Sequence, residues 1–598
     1  MKVKADDYFN NGFIEMARFG KIIFQRNVMS EQEHFQYMNK LSEKEPILKK
    51  KINDLVEKII KNVLKCEPLK LLNYSQLNDI KSFLGKTSEF QSLGFEKIAI
   101  AHTTEYIQSI FVSSEKGEPA ILEDPSELFF EISKEIEDLF CLIPQFYFAK
   151  LASYVKSNAI DNALLQELFE AQMAYWVRGE RYQFIEFDYF RSLLSSHNNE
   201  FLKLFKISIK DILEGIKKMQ YALSQGRVDP VNKLIKLFDS IQNVDEEKLE
   251  DCFNTVIQEG QTYLSAFIGN ELNDVCSITG WSKEFVDKLS FEIGEYKSFF
   301  NNKEYSGWPI LDLPVQKRPF VKIDNTCYCF DYYSFVDNFY RVIQKTITRL
   351  DPTYNWSEVQ QSASESMVAE LLQRILPGCK IYKNNYYPYN KASLKQLCEN
   401  DLIVEYYDVL LIVEIKAGSF VFTAPLLDFE QHIKSYKKLI EEPQNQCQRT
   451  FDYLKLSQFA KLYNKDKTEK VCIDMSKVKD VFMMSVTVDN INTFAARAEK
   501  ISFIQSKCNS ISIAVDDLMI YERYFESPLK FLHFLKQRRD ATLLKSLVPT
   551  DELDHLGMYI NNNCYALYYS NLKTDRVDPV GFRQELDTYF SQLYHPIF

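Results

Sequence analysis

One stretch constrains this chain more than any other: ENDLIVEYYDVLLIVEIKAG, residues 399–418. It holds two β-rich runs, 402–406 and 409–415, with a tight connection predicted at Tyr407-Asp408. The second run is apolar throughout until Glu414 and Lys416, as expected for a strand covered on both faces. Side chains two apart on a strand share a face, so Glu414 and Lys416 lie with Ile412, while Val413 and Ile415 point the other way. Burying a Glu and a Lys at the end of such a strand is costly unless they do something there. Asp401 begins the preceding strand, and an antiparallel pairing across Tyr407-Asp408 brings it beside Glu414 and Lys416.

Two carboxylates and an ammonium at one sheet edge suit phosphodiester hydrolysis. The carboxylates, Asp401 and Glu414, can hold a hard cation such as Mg²⁺ or Mn²⁺, which takes oxygen ligands and keeps several waters. The cation lowers the pKa of a bound water and offsets charge on the phosphate, and a lysine beside it orients the attacking water.

An Asp, a strand, then Glu-x-Lys at the end of an apolar strand resembles the PD-(D/E)xK, restriction-endonuclease-like nucleases, here as Asp401…Glu414-Ile415-Lys416, followed by Ala417-Gly418. Asn400 stands where that pattern usually has proline. The resemblance covers about 357–515 and implies an α/β core with a mixed sheet and metal-dependent cleavage of nucleic acid, DNA rather than RNA. Members often carry an acidic residue on the helix before the sheet. In SESMVAELLQRILPG, Glu365 lies in line with Val368 and Leu372, whereas Glu370 is turned about 200° from Val368 and faces solvent. Glu365 is thus the auxiliary metal or water ligand that the resemblance implies. Some members also place a glutamine on the helix after the Glu-x-Lys strand. Residues 428–456 read as that helix, interrupted at Pro443. Gln446 matches best, Gln431 is the other candidate, and Arg449 is a phosphate contact one turn on. The basic run Lys434, Lys437 and Lys438 on the same helix, and KQRR at 536–539, are candidate backbone contacts to nucleic acid.

The rest of the chain frames this core. Residues 1–300 read as helical almost throughout, with amphipathic stretches at 47–64, 126–142, 159–177, 208–223 and 231–241 and no fixed repeat. Residues 301–352 form a bridging module, a hairpin turning at Asp324-Asn325 and then a helix over 333–350 that Asp351-Pro352 stops. The core at 353–515 is expected in the order helix, three strands, helix, strand, helix, strand. The appendage, 516–598, is helical and mixed. At 511–518, ISIAVDDL offers a paired-Asp metal site, but a helix N-cap accounts for it better.

Composition excludes several classes. At 598 residues, 46% hydrophobic and 26% charged, the chain is that of a globular protein with several packing units. No segment is apolar for long enough to span a membrane, and no secretory signal precedes the first helices. The twelve cysteines include no CxxC pair, which fits reduced thiols in a cytoplasmic protein. The seven histidines show no metal-binding spacing, and only His432 lies near the core motif. No P-loop is present. A net charge of −11 argues against a surface that binds nucleic acid everywhere and leaves room for a local basic groove. The expected protein is therefore a metal-dependent DNA endonuclease of antiviral defence or DNA processing. Its helical half would receive a partner protein or a second copy. An RNA nuclease and a nuclease-derived scaffold are the alternatives.

Overall fold

A computed structural model describes residues 4–594 apart from 11, 13, 84–94, 116–121, 123, 158, 175, 180, 242–248, 311–312, 391–392, 419–423, 491–493, 495 and 506–508. Over these residues the chain is a mixed α/β protein with three sheets and many helices.

The first 27 residues depart from the helical expectation. They form strands β1 (Asp7–Asn10), β2 (Ile14–Phe19) and β3 (Ile22–Asn27). None of the three buries a full face, so the polar/apolar alternation that marks a strand in sequence is blurred. Their sheet is completed from the other end of the chain, where β14 (Arg576–Pro579; β4 to β13 follow in chain order below) pairs antiparallel with β3.

The helices that follow obey their periodicity. Glu45–Val63 buries Leu48, Ile52, Val56, Ile59 and Val63, spaced three and four apart. Ser126–Lys156 runs further than the 126–142 expected, with Pro144 accommodated inside it. β4 (Ser290–Glu292) joins a hairpin of β5 (Phe320–Ile323) and β6 (Thr326–Tyr328). Its turn residues, Asp324 and Asn325, have φ of 47° and 66°, the left-handed pair that a two-residue hairpin needs. The next helix is Tyr332–Leu350, capped by Asp331 through the N–H of Ser334.

The central sheet has seven strands. β7 (Lys380–Asn390), β8 (Ser393–Tyr406) and β9 (Val409–Lys416) form an antiparallel meander, and Tyr407, at φ 52°, sits in the β8–β9 connection. β12 (Asp480–Thr487) and β13 (Ser510–Ala514) then add parallel to β9. β10 (Phe459–Tyr463) and β11 (Glu469–Asp474) extend the far edge as a hairpin, giving the order β11-β10-β7-β8-β9-β12-β13. The sequence reading allowed a single strand after the 428–456 helix, where β10, β11 and β12 now stand, and a helix before β13, where the described residues hold the short turn Ala498–Lys500. The helix Trp356–Ile375 covers one face, setting Val368 and Leu372 in one cluster with Leu402, Leu411 and Val413. The helix Glu442–Leu454 covers the other, with Cys447 and Leu454 against Ile403, Leu410 and Ile412. Both faces of β9 are therefore dry, the physical reason for its unbroken apolar run.

At Pro443 the expected interruption takes a milder form. Phe429–Tyr436 passes into a π-helical turn, Lys437–Glu441, and then into Glu442–Leu454, with Pro443 in the first turn, where no N–H is needed. Packing also ties distant stretches together. One buried cluster runs from Ile185 to Phe590, and a second joins the N-terminal helices to the β5 strand and Leu426.

Close approach demands glycine at position 557. A Cβ there would lie 2.0 Å from the carbonyl oxygen of Phe582, a backbone atom that cannot swing aside. Gly557→Ala should cost at least about 2–3 kcal/mol, read as a fall in the thermal midpoint; an unchanged midpoint would disprove this contact.

Candidate metal centre

The β8–β9 ladder runs from Tyr406↔Val409 to Leu402↔Val413 and stops. Here β8 parts from β9 while keeping its pairing with β7, Lys383 to Leu402 and Asn385 to Asn400, around Asn384 at φ 51°. The next step along both strands sets Asp401 against Glu414. Side chains take over the hydrogen bonding at this fork. The Ile415 N–H donates to Asp401 Oδ2 (2.6 Å), and Asn400 Nδ2 donates to the Val413 carbonyl (3.2 Å) and to Glu414 Oε1 (2.8 Å). On its other side β9 stays paired with β12, Glu414 beside Ser485 and Lys416 beside Thr487.

The three acids named from sequence are all buried: Asp401 is 8% exposed, Glu365 4% and Glu414 1%. Burial and then the Asp401 charge push the Glu414 carboxyl well above its ordinary range, against Asn400, Lys416 and Arg449. Burial raises Asp401 as well, opposed by the Ile415 N–H and Lys416. Glu365 rises from 4.5 to about 7, through burial and then through repulsion by Asp401. Glu370 is exposed on the opposite side of its helix, as the periodicity predicts. Burial disfavours the charged form of all three acids, a condition that a bound cation would relieve.

Lys416 Nζ donates to Gln446 Oε1 (2.6 Å), so the residue chosen on the following helix stands beside the lysine. Gln431 is exposed, with its backbone N–H held by the Asp428 carboxylate. Arg449 Nε donates to the hydroxyl of Tyr387 (3.2 Å), and its charge acts on Glu414. A buried polar row continues across the sheet, with Ser485 and Ser512 hydroxyls 2.8 Å apart and Gln444 Nε2 donating to Ser512 (2.9 Å).

The donor set fits a hard divalent cation through two carboxylates. Among the described residues, no three His, Cys, Asp or Glu side chains close on one point. Asp401 and Glu414 would therefore hold the ion, with water filling its remaining positions, as Mg²⁺ prefers. Glu365 feels the charge of Asp401 and accepts from Gln361 Nε2 (3.0 Å), and of the two places expected for it, metal ligand or water ligand, a two-carboxylate site leaves it the second.

Lys434 pairs with Glu430 on its own helix (3.6 Å), and within the π-turn Lys438 is exposed and Lys437 half-buried; among the described residues no contact joins the three to the carboxylates. KQRR is not a free basic face. Arg538 is 1% exposed and bound to Glu552, and Arg539 holds Asp480. In ISIAVDDL, Ala514 is the N-cap residue of Val515–Tyr524, and the Asp517 carboxylate accepts the Ala514 N–H from inside the first turn. Asp516 faces Arg181 and Asn490. His432 is buried without a metal partner set around it among the described residues.

Sequence reasoning passed over Asn400, Asn385 and Tyr387. Asn400 had a signal, its place next to Asp401; the other two depend on the β7 register, which no local pattern reveals. Gln446→Ala should free Lys416 and lower the turnover rate about tenfold with metal affinity intact. Steady-state rates at saturating metal check this, and an unchanged rate removes Gln446 from the site. Ten described cysteines are all free thiols, and no described helix is long and apolar enough to cross a membrane. No family model matches this chain, and neither a curated protein nor a solved structure matches it.

Proposed function

We propose that this chain is a metal-dependent nuclease of the PD-(D/E)xK type that hydrolyses phosphodiester bonds, with DNA as its substrate. The observation that carries the reading is the fork where β8 leaves β9, which brings the buried carboxylates Asp401 and Glu414 together two strand positions short of the Lys416–Gln446 pair. A Mg²⁺ or Mn²⁺ ion held by those carboxylates would acidify a coordinated water and offset charge on the scissile phosphate. Lys416, steadied by Gln446, orients the attacking water. Arg449 meets a neighbouring phosphate, its guanidinium braced on Tyr387. Glu365 would hold a water bound to such an ion.

The preference for DNA and a role against foreign DNA such as phage rest on likeness to the nuclease family alone. The test is cleavage of plasmid, linear duplex, single-stranded DNA and RNA by wild type and Glu414→Ala, with Mg²⁺, Mn²⁺ or EDTA. Metal-dependent cutting lost in Glu414→Ala supports the reading and names the substrate. Wild type that cuts none of them with either metal sinks it. Cells challenged with phage then test the role: protection that survives Lys416→Ala excludes defence by this centre.

A further inference from the structure

The Glu414 carboxylate is reached by an amide rather than by a second backbone group. Asn400 Nδ2 lies 2.8 Å from Glu414 Oε1 and 3.2 Å from the Val413 carbonyl, so one NH₂ group serves both. An asparagine could turn its oxygen to this position by a half-rotation, but here that would set three acceptor oxygens against one another. The other end of the amide fixes the choice as well. Asn400 Oδ1 accepts from Asn385 Nδ2 (3.3 Å), which also donates to the Tyr382 carbonyl (2.7 Å). Asn385 and Asn400 are both 0% exposed, so no water competes for these bonds. Asn385 is brought there by the β7–β8 register, in which it faces Asn400 just past the left-handed residue Asn384.

We infer that Asn385 and Asn400 form a positioning relay that presets the Glu414 carboxylate for a divalent cation, an inference resting on the metal-centre reading above. Asn400 takes one oxygen of Glu414, and the Ile415 N–H takes one oxygen of Asp401. The second oxygen of each carboxylate is the one that a cation would use. The relay acts before any ion arrives: a carboxylate locked in one orientation loses less freedom on binding than one that must be ordered. Neither asparagine touches substrate, so both are positioning residues.

The experiment is a calorimetric titration of Mn²⁺ into metal-free wild type, Asn400→Ala, Asn385→Ala and Glu414→Ala, with thermal melts to confirm folding. Wild type should bind, Glu414→Ala should not, and Asn400→Ala should bind about 10–100-fold more weakly. Asn385→Ala, one bond further away, should bind about 3–10-fold more weakly, by the same reasoning at the low end of that range. At saturating Mn²⁺ both asparagine variants should regain cleavage to within a few-fold of wild type, because the relay sets affinity and not chemistry. Asn400→Ala also strips a donor from Val413, so Asn385→Ala decides the matter should the former fail to fold. Folded Asn385→Ala with wild-type affinity overturns the relay alone. Wild type with no Mn²⁺ affinity overturns the metal centre, and the relay with it.

Discussion

In Glu414→Gln, metal-dependent cleavage should fall by about a hundred- to a thousandfold, while the metal-free protein should melt at a higher temperature at pH 8 than wild type. The two effects share one cause. The carboxylate offers charge to a cation, and an interaction of that kind accounts for about 10²–10³ in rate when removed. Without the ion, the same group is a buried acid held well above its ordinary range by desolvation and by Asp401. A carboxyl whose pKa is raised on folding leaves stability intact below its unfolded value and withdraws it as pH climbs towards the folded one. Each pH unit in that interval is worth about 1.4 kcal/mol. Glu365 behaves likewise between 4.5 and about 7. Melting curves in EDTA at pH 5 and pH 8 provide the check: the variant's advantage should be small at pH 5 and open at pH 8. Adding Mn²⁺ should reverse the order, since ligand at a hundred times its Kd stabilises wild type by about 2.7 kcal/mol. A variant no more stable than wild type at pH 8 in EDTA would show that these carboxyls carry no unrelieved charge.

Arg538→Ala should be the most damaging single change away from the centre, costing about 3–5 kcal/mol and most of the soluble yield. The guanidinium is fully buried, with Nε and Nη2 on the Glu552 carboxylate at 2.9–3.1 Å and Nη2 also on the Ala496 carbonyl at 3.2 Å. Glu552 in turn accepts from the hydroxyl of Tyr521 (2.9 Å). Truncating the arginine leaves a buried carboxylate with its charge partner gone, so the damage exceeds the value of the lost bonds. Replacing both members of the pair by leucine should recover part of the loss, because neither charge then remains to be buried. Chemical denaturation of the single and double variants measures both effects. Arg538→Ala with wild-type stability would contradict the burial of this pair.

The fork between β8 and β9 was legible because its signals are local. Residues 409–416 spell a strand covered on both faces, the period of two puts Glu414 and Lys416 on one side, and a short connection at Tyr407-Asp408 forces Asp401 back beside them. The choice of Glu365 over Glu370 followed from helical period in the same way, whereas Gln446 was named only because the resemblance implies a glutamine on the next helix.

What stayed hidden depends on partners far along the chain. β1, β2 and β3 bury no complete face, and β14, which closes their sheet, lies some 550 residues on. KQRR has the composition of a solvated face, and only the arrival of Glu552 turns Arg538 inward. The amide pair behind Glu414 exists because β7 aligns Asn385 with Asn400, a register set by pairing across the sheet. Period and charge along the chain decide which side of an element a residue occupies, because backbone geometry repeats every few residues. Which buried group meets which is decided by long-range packing, where each polar atom taken from water must find a partner that the local sequence does not name.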